Sequence, residues 1–291
     1  EGAAEGRPGP MVAGWKQDQV MPTLTTHAVE WIAEQEGTGH PFFLYFPWTS
    51  PHAPIVPTEE WQGKSQAGGF GDFMAQSDWT AGEVLRALDE HGFRENTLVI
   101  FSADNGPERY AYDRLRNYMH RSMGPLRGLK RDIWEGGHRV PFVVRWPGVI
   151  PAGAVNDQLI AQIDLFATIA AIIGHELPET AADDSLNQLA ILRGEPDARS
   201  PRREMVHNTN ANHYAFRADD YVLIDAPTGA VSQVPPWFDA ANDYMADDQP
   251  AALYDLSIDL AQRRNLIETE PERAVQLRQR LGALRTHAQR T

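Results

Sequence analysis

Three short apolar runs, each ending at a loop rich in proline, glycine or polar residues, constrain the fold of this chain most strongly. They span residues 41–46, 98–101 and 141–146. Unbroken apolar runs of this length are typical of strands buried on both faces of a parallel sheet. Helical periodicity lies around them, over residues 23–35, 73–91 and 157–173. Alternating helices and strands predict an α/β fold with a mostly parallel sheet and flanking helices.

The sequence changes in character after Gly194, where the remaining apolar segments are short. Four of them predict a small antiparallel sheet: residues 204–207, 214–217, 221–224 and 252–255. A polar helix over residues 271–288 follows. We therefore predict a first domain over residues 1–197 and a C-terminal α+β subdomain over residues 198–291.

Composition excludes several classes of function. The 291 residues carry 26 basic and 40 acidic side chains, a net charge of −14, which repels nucleic acid and anionic lipid. The chain has no cysteine, which excludes disulfides, thiolate metal sites and a cysteine nucleophile within these residues. No apolar run reaches the roughly 18 residues that a membrane span needs. The first ten residues are glycine, alanine, proline and charged residues, in which no signal peptide is visible.

An acid and an amide follow the second apolar run directly, in the stretch FSADNGPERY. Ligands bind open α/β sheets where the strands end, so Asp104 and Asn105 are candidate ligands. Their oxygens suit a hard cation, Ca²⁺ or Mg²⁺, better than zinc. The alternative is a simple tight turn, because Asn-Gly is a strong turn signal.

Two further loops carry candidate residues. His52 stands in SPHAP, six residues after the first run, where two prolines restrict the backbone. Lys130 stands in RGLKRDIWEGGHRVPF, whose four basic residues contrast with an acidic protein. A lysine is a good point charge for sulfate or phosphate oxygens. The alternatives are a surface histidine, a solvated basic loop and, for Arg139, an ion pair with Glu135.

If the strands are parallel neighbours, the loops of His52, Asp104–Asn105 and Lys130 meet at one edge of the sheet. A cation, a lysine and a histidine facing one pocket suit the binding of a tetrahedral oxyanion ester.

At these residues the chain resembles the sulfatase family of the alkaline-phosphatase-like superfamily. Six ordered blocks carry the resemblance: FFLYFPWTSPHAP, TLVIFSADNGPE, RGLKRDIWEGGHRVPFVVRWPGVIPAG, QIDLFATIAAIIG, DSLNQLAILRG and ALYDLSIDLAQRRNL. The resemblance implies hydrolysis of sulfate esters, with Asp104 and Asn105 as ligands of Ca²⁺, or of Mg²⁺. It implies that Lys130 and His52 contact the sulfate of a sulfated small molecule or glycan. By analogy with the family, it also implies a periplasmic or secreted protein.

The sequence departs from the family pattern in its nucleophile. Sulfatases use a formylglycine made from a Cys/Ser-x-Pro-x-Arg motif, and no such motif occurs here; Ser200-Pro201-Arg202-Arg203 has the wrong spacing. The family's Asp-Asp metal pair and its GKWHLG-like segment are also absent. The pattern predicts a C-terminal part of a sulfatase that an N-terminal segment or chain completes, and it predicts no sulfate-ester turnover by these residues alone.

Two alternatives stay open. The first is a non-catalytic sulfatase-like module that binds a sulfated ligand or a protein partner. The second is a phosphatase or phosphodiesterase of the same superfamily, which is disfavoured because zinc-dependent relatives would need histidine near Asp104.

Overall fold

The structure, a computed structural model, describes residues 9–178, 180–244 and 248–288. The chain forms two compact units. The first comprises residues up to 98 together with 113–120, and the second comprises residues 99–112 and those from 121 onward. This division differs from the domain boundary between residues 197 and 198, which remains a prediction.

The first unit is built on two packed helices, α1 (Val20–Glu34) and α2 (Gly68–Glu90). Each helix places an apolar stripe against the other, as the periodicity predicts. The buried side chains include Met21, Ala28 and Ile32 on α1 and Phe73, Ala87 and Leu88 on α2. Inside this interface the hydroxyls of Thr25 and Thr80 are hydrogen bonded at 2.9 Å, so neither polar group is buried without a partner.

The expected strand over residues 41–46 is wrong. The segment is extended, but no described residue pairs with it in a sheet. Phe42 packs edge-on against Trp31 and Phe93, whereas the side chains of Phe43 and Tyr45 are 73% and 77% exposed. An apolar run becomes a buried strand only where partner strands pair with its edges and other elements cover its two faces, and the described residues supply no partner strand.

Residues 107–138 contain two helices. The longer is α3 (Ala111–Tyr118), whose residues from 113 onward belong to the first unit. The buried guanidinium of Arg114 lies 3.6 Å from the centre of the Phe70 ring there. The shorter is α4 (Glu135–His138), a single turn in the second unit.

The second unit begins with two strands, β1 (Val99–Ser102) and β2 (Phe142–Arg145). They pair antiparallel, with Val99 opposite Arg145 and Ser102 opposite Phe142. The α/β class is therefore confirmed, but the parallel pairing of neighbouring strands is wrong for this pair. Apolar runs record burial and carry no information on strand direction, and mixed sheets are common in this fold class.

Helix α5 (Asp164–Ile172) and the turn α6 (Leu189–Leu192) follow β2. The predicted helix over residues 157–173 begins seven residues too early. The Asp164 carboxylate accepts a hydrogen bond from the Ala161 amide at 2.9 Å, which ties the preceding turn to the first residue of the helix.

The antiparallel C-terminal sheet is confirmed, with strand order β3-β4-β5-β6. Its strands are Glu204–Asn208, Tyr214–Ala218, Tyr221–Ile224 and Ala252–Asp255. Two helices accompany the sheet, α7 (Pro236–Ala241) and α8 (Pro271–Ala288). One face of the sheet packs on Ile133 and Trp134, so the basic loop before α4 is built onto the core of this unit. No helix in the described part of the chain is long and apolar enough to cross a bilayer.

Candidate active site

The DNG loop (Asp104, Asn105 and Gly106) follows β1 directly. The Gln162 side chain fixes the two residues that lead into this loop. Its amide nitrogen donates to the Ala103 carbonyl at 2.6 Å and to the Ser102 hydroxyl at 2.9 Å. Ser102 in turn donates to the Pro141 carbonyl at 2.9 Å. The start of the loop is therefore tied to β2 and to the segment before α5.

Backbone hydrogen bonds join the DNG loop to the basic loop (residues 127–134) and to α4. The Gly106 amide donates to the Gly137 carbonyl at 3.0 Å, and the Lys130 amide donates to the Pro107 carbonyl at 2.8 Å. Gly106 is buried, and a Cβ at this position would overlap the Gly136 carbonyl oxygen. The close approach requires glycine, so Asn105-Gly106 is more than a free surface turn.

Asp132 holds the basic loop in shape. Its buried carboxylate accepts hydrogen bonds at 2.8 Å from the amides of Leu129, Val231 and Ser232. Burial nevertheless raises the pKa of Asp132, since these three amides offset the loss of hydration only in part. The Ser232 hydroxyl donates to the Lys130 carbonyl at 3.0 Å, so the backbone of Lys130 is fixed on both sides.

The four cations predicted around this loop have different environments. Arg127 stacks on Trp134 and Tyr244, at 3.9 and 4.2 Å from the ring centres. Arg131 pairs with Glu108, and Arg139 approaches Glu135 at 3.5 Å. Lys130 is half-buried and forms no salt bridge with any described residue. Lys130 is therefore the cation of the four that remains available to an anionic ligand.

Asp104 and Asn105 fit part of a hard-cation site. Asp104 is exposed, and the Asn105 amide nitrogen donates to the Gly106 carbonyl at 2.9 Å, which leaves its side-chain oxygen as the atom for a cation. Calcium takes about six to eight oxygen ligands. Among the described residues, Asp104 belongs to no cluster of three or more acidic or histidine ligands. Water, substrate oxygens or carboxylates from outside these residues would have to complete the shell.

His52 belongs to the first unit, where it is exposed. Its Nδ1 lies 2.7 Å from the Ala53 carbonyl oxygen, which can only accept, so Nδ1 carries the proton. This contact fixes the tautomer and leaves Nε2 for a ligand. The structure thus joins the loops of Asp104, Asn105 and Lys130, while the roles of all four residues stay predictions.

Ser200-Pro201-Arg202 has a structural role in the second unit. Ser200 donates to the Leu159 carbonyl, and Arg202 forms a two-point contact with the Asp164 carboxylate. Ser200, Arg202 and Asp164 are all buried. The segment that superficially resembles a nucleophile motif is instead bound into the packing around α5.

The fold brings together a cluster that no sequence motif predicts, the Glu-His-His cluster, formed by Glu135, His138 and His207. One ligand atom of each residue lies within 4.8 Å of the others. Glu135 and His138 occupy the two ends of α4, and His207 lies on β3. The i, i+3 spacing of Glu135 and His138 was visible in the sequence, but the third residue comes from 69 positions downstream and is placed by the fold alone.

The sulfatase family profile matches residues 15–175, more than half of the chain. The chain belongs to the sulfatase family. A second profile, the C-terminal region of N-sulphoglucosamine sulphohydrolase, matches residues 129–230. The two matches together include the DNG loop, the basic loop and the first three strands of the C-terminal sheet.

Curated relatives of this sulfatase chain include an N-acetylgalactosamine-6-O-sulfatase of Bacteroides thetaiotaomicron. The two are 34% identical over 278 residues, which cover 94% of this chain and 52% of the relative. Human steryl-sulfatase is 34% identical over 200 residues, which cover 69% of this chain and 34% of that protein. The chain thus spans about half, or less, of the length of these relatives.

Solved structures show the same fold. A structure from work on glycosaminoglycan metabolism by Bacteroides thetaiotaomicron matches 94% of this chain and 55% of its own, with 33% identity and a TM-score of 0.80. The PsFucS1 sulfatase from Pseudoalteromonas sp. matches 92% of this chain and 53% of its own, with 25% identity and a TM-score of 0.77.

Proposed function

We propose that this chain is the part of a sulfate-ester hydrolase that binds the catalytic cation and the sulfate group. The observation that carries the proposal is the unpaired Lys130 on a loop hydrogen bonded to the DNG loop, in a chain of the sulfatase family. A fixed cation beside oxygen ligands suits the charge of a sulfate ester.

Each candidate residue has a separate role in this proposal. Asp104 and Asn105 contribute two oxygens to a Ca²⁺ or Mg²⁺ ion, which would polarise the sulfate when bound. The Lys130 ammonium neutralises a sulfate oxygen, and its fixed backbone limits the reorganisation this requires. His52 acts as an imidazolium: Nδ1–H donates to the Ala53 carbonyl, and the second proton, on Nε2, passes to the leaving oxygen and leaves a neutral ring.

The nucleophile would come from outside these 291 residues, because they contain neither cysteine nor a Ser-x-Pro-x-Arg segment. In the family pattern a formylglycine supplies the attacking oxygen. We therefore expect the 291-residue chain to bind sulfate without hydrolysing its esters.

The relatives suggest the first substrate class to examine. The N-acetylgalactosamine-6-sulfatases are 34–37% identical to this chain over the residues they match, and the steryl-sulfatases 29–34%, so we propose a sulfated amino sugar rather than a steryl sulfate.

Binding to the purified chain tests the cation and sulfate roles. With Ca²⁺ present, we expect calorimetry to detect binding of N-acetylgalactosamine 6-sulfate and of inorganic sulfate. Lys130→Ala should weaken the affinity for both at least tenfold. Lys64→Ala is the matched control, since Lys64 is an exposed lysine of the first unit. Equal affinity of the Lys130→Ala chain and the wild type would remove Lys130 from the site.

The missing motif favours the second candidate, a non-catalytic module that only binds a sulfated ligand. Turnover separates the two. A polypeptide in which these residues follow a formylglycine-bearing segment should hydrolyse the sulfated sugar, and Lys130→Ala should lower kcat/KM by at least a hundredfold. Binding without turnover in that polypeptide would support the module, whereas turnover by the 291-residue chain alone would contradict the external nucleophile.

A further inference from the structure

We propose that the Glu-His-His cluster binds a transition-metal ion of the zinc class, in addition to the hard cation proposed at the DNG loop. Two imidazoles and one carboxylate form a donor set that suits zinc and its neighbours and does not suit calcium. Nothing in this inference depends on sulfate chemistry.

Buried donor atoms in the cluster lack hydrogen bonds. Among the described residues, no hydrogen-bond partner exists for either ring nitrogen of His207 or for Oε1 of Glu135, and all three atoms are buried. Buried polar atoms are hydrogen bonded in the great majority of cases, so three such atoms in one cluster need an explanation. A metal ion would bind one nitrogen of His207 and the free oxygen of Glu135 together.

The spacing of the donor atoms matches that of ligands around one ion. Nε2 of His138 lies 3.5 Å from Oε1 of Glu135, too long for a good N–H···O hydrogen bond. Bonds of about 2.0–2.1 Å to a tetrahedral zinc place neighbouring ligand atoms about 3.4 Å apart. The observed separation therefore fits two ligands of one ion better than it fits a direct hydrogen bond.

Surrounding groups hold the Glu135 carboxylate in position. Arg217 and Arg139 approach Oε2 of Glu135 at 3.3 and 3.5 Å, so Oε1 faces His138. The Glu135 amide donates to Oε1 of Gln262 at 2.8 Å. Groups that orient a ligand in this way are typical of metal sites.

The two histidines lie against each other. The ring centres of His138 and His207 lie 4.0 Å apart, and the two ring planes are tilted by 33° to each other.

Metal retention by the 291-residue chain, prepared without a histidine tag, tests this site. After removal of metal with a chelator and dialysis against Zn²⁺, we expect one zinc per chain by mass spectrometry. Cobalt in its place should give the intense visible absorption of a four-coordinate ion. His138→Ala and His207→Ala should each weaken zinc at least tenfold, and Ca²⁺ should not compete.

The chain offers a matched control in His27. His27 and Glu30 are also three residues apart on a helix, with the same 3.5 Å separation, but both side chains are exposed and belong to the first unit. His27→Ala should leave zinc binding unchanged. Because His138 is partly exposed, His138→Ala decides the question if His207→Ala does not fold. Absence of zinc retention by the wild type, or equal affinities in the wild type and the folded His138→Ala chain, would overturn the proposal.

Discussion

Two buried carboxylates of the second unit differ in how completely their oxygens are bonded. Both oxygens of Asp164 accept hydrogen bonds from Arg202, at 2.6 and 2.9 Å, and further donors are the amides of Ala161 and Leu186. Glu135 has two arginines near Oε2 and no hydrogen-bond partner at Oε1 among the described residues. A fully bonded carboxylate is a structural element, whereas a half-bonded one beside two imidazoles is a candidate ligand.

The pKa values of the two acids are shifted in the same direction. For Asp164, burial acts to raise the pKa, but the hydrogen bonds from Arg202 and the backbone outweigh it and lower the value. For Glu135, burial also acts to raise the pKa, and His138 and Arg217 lower it to about 2. Both carboxyl groups are therefore ionised at neutral pH. The two acids differ in the hydrogen bonding of their oxygens and have the same charge.

The largest expected effect is that of Asp164→Ala. Removing the carboxylate leaves Arg202 buried without its charge partner, which costs about 3–5 kcal/mol of unfolding free energy. Urea denaturation measures the change. The control, Asp157→Ala, removes an exposed acid seven residues earlier and should stay within about 0.5 kcal/mol of the wild type. A loss below about 1 kcal/mol for Asp164→Ala would show that its bonding is not structural.

Gly106→Ala should have the next largest effect and lower the free energy of unfolding by about 3 kcal/mol. The added methyl group overlaps a backbone oxygen of α4, which cannot rotate away. The variant should also weaken binding at both candidate sites, since the DNG loop and the Glu-His-His cluster share α4. Gly282→Ala is the control: a Cβ there meets open space on helix α8, and the change should stabilise by about 0.5–1 kcal/mol. A neutral Gly106→Ala would contradict the tight packing of the two loops.

The two arginines of Glu135 provide a graded comparison. The side chain of Arg217 is 12% exposed and that of Arg139 is 43% exposed. Arg217→Ala should lower the free energy of unfolding by about 2 kcal/mol, because it leaves a buried carboxylate with one fewer donor. Arg139→Ala should lower it by about 0–1 kcal/mol. Thermal unfolding in a chelator measures both without metal. Equal losses of stability in the two variants would mean that the exposure of the arginine does not determine how much each ion pair with Glu135 stabilises the fold.

The sequence predicted those features that depend on local pattern. The four C-terminal strands, predicted from short apolar segments, and the polar helix α8 were placed within one residue. The ion pair between Arg139 and Glu135 was one of the alternatives left open for the basic loop, and the two side chains lie 3.5 Å apart. The family resemblance was confirmed because six blocks in fixed order carry far more information than one motif.

Features that depend on distant partners were missed. Residues 41–46 have the composition of a strand, but burial depends on neighbours that composition does not specify. The antiparallel direction of β2 relative to β1 could not be predicted from the apolar composition of either strand. The bonding of Ser200 and Arg202 and the place of His207 beside Glu135 arise from residues 38 or more positions apart, which only the fold brings together.

The smallest expected effect is on pH dependence, and it tests the bonding of Asp164 a second way. The pKa of Asp164 is lower in the folded chain than in the unfolded chain. The ionised carboxylate therefore stabilises the fold fully at a pH above the pKa of the unfolded chain, about 3.9. This stabilisation is lost as the pH falls through the pKa of the folded chain. The stability difference between the wild type and Asp164→Asn should therefore be constant from pH 7 to pH 5 and should narrow below about pH 4. Urea titrations at each pH measure this difference. The Asp157→Asn chain, altered at an exposed acid, should follow the wild type throughout. A difference that widens on acidification would require an Asp164 carboxyl that the fold prefers protonated, which two hydrogen bonds from a guanidinium exclude.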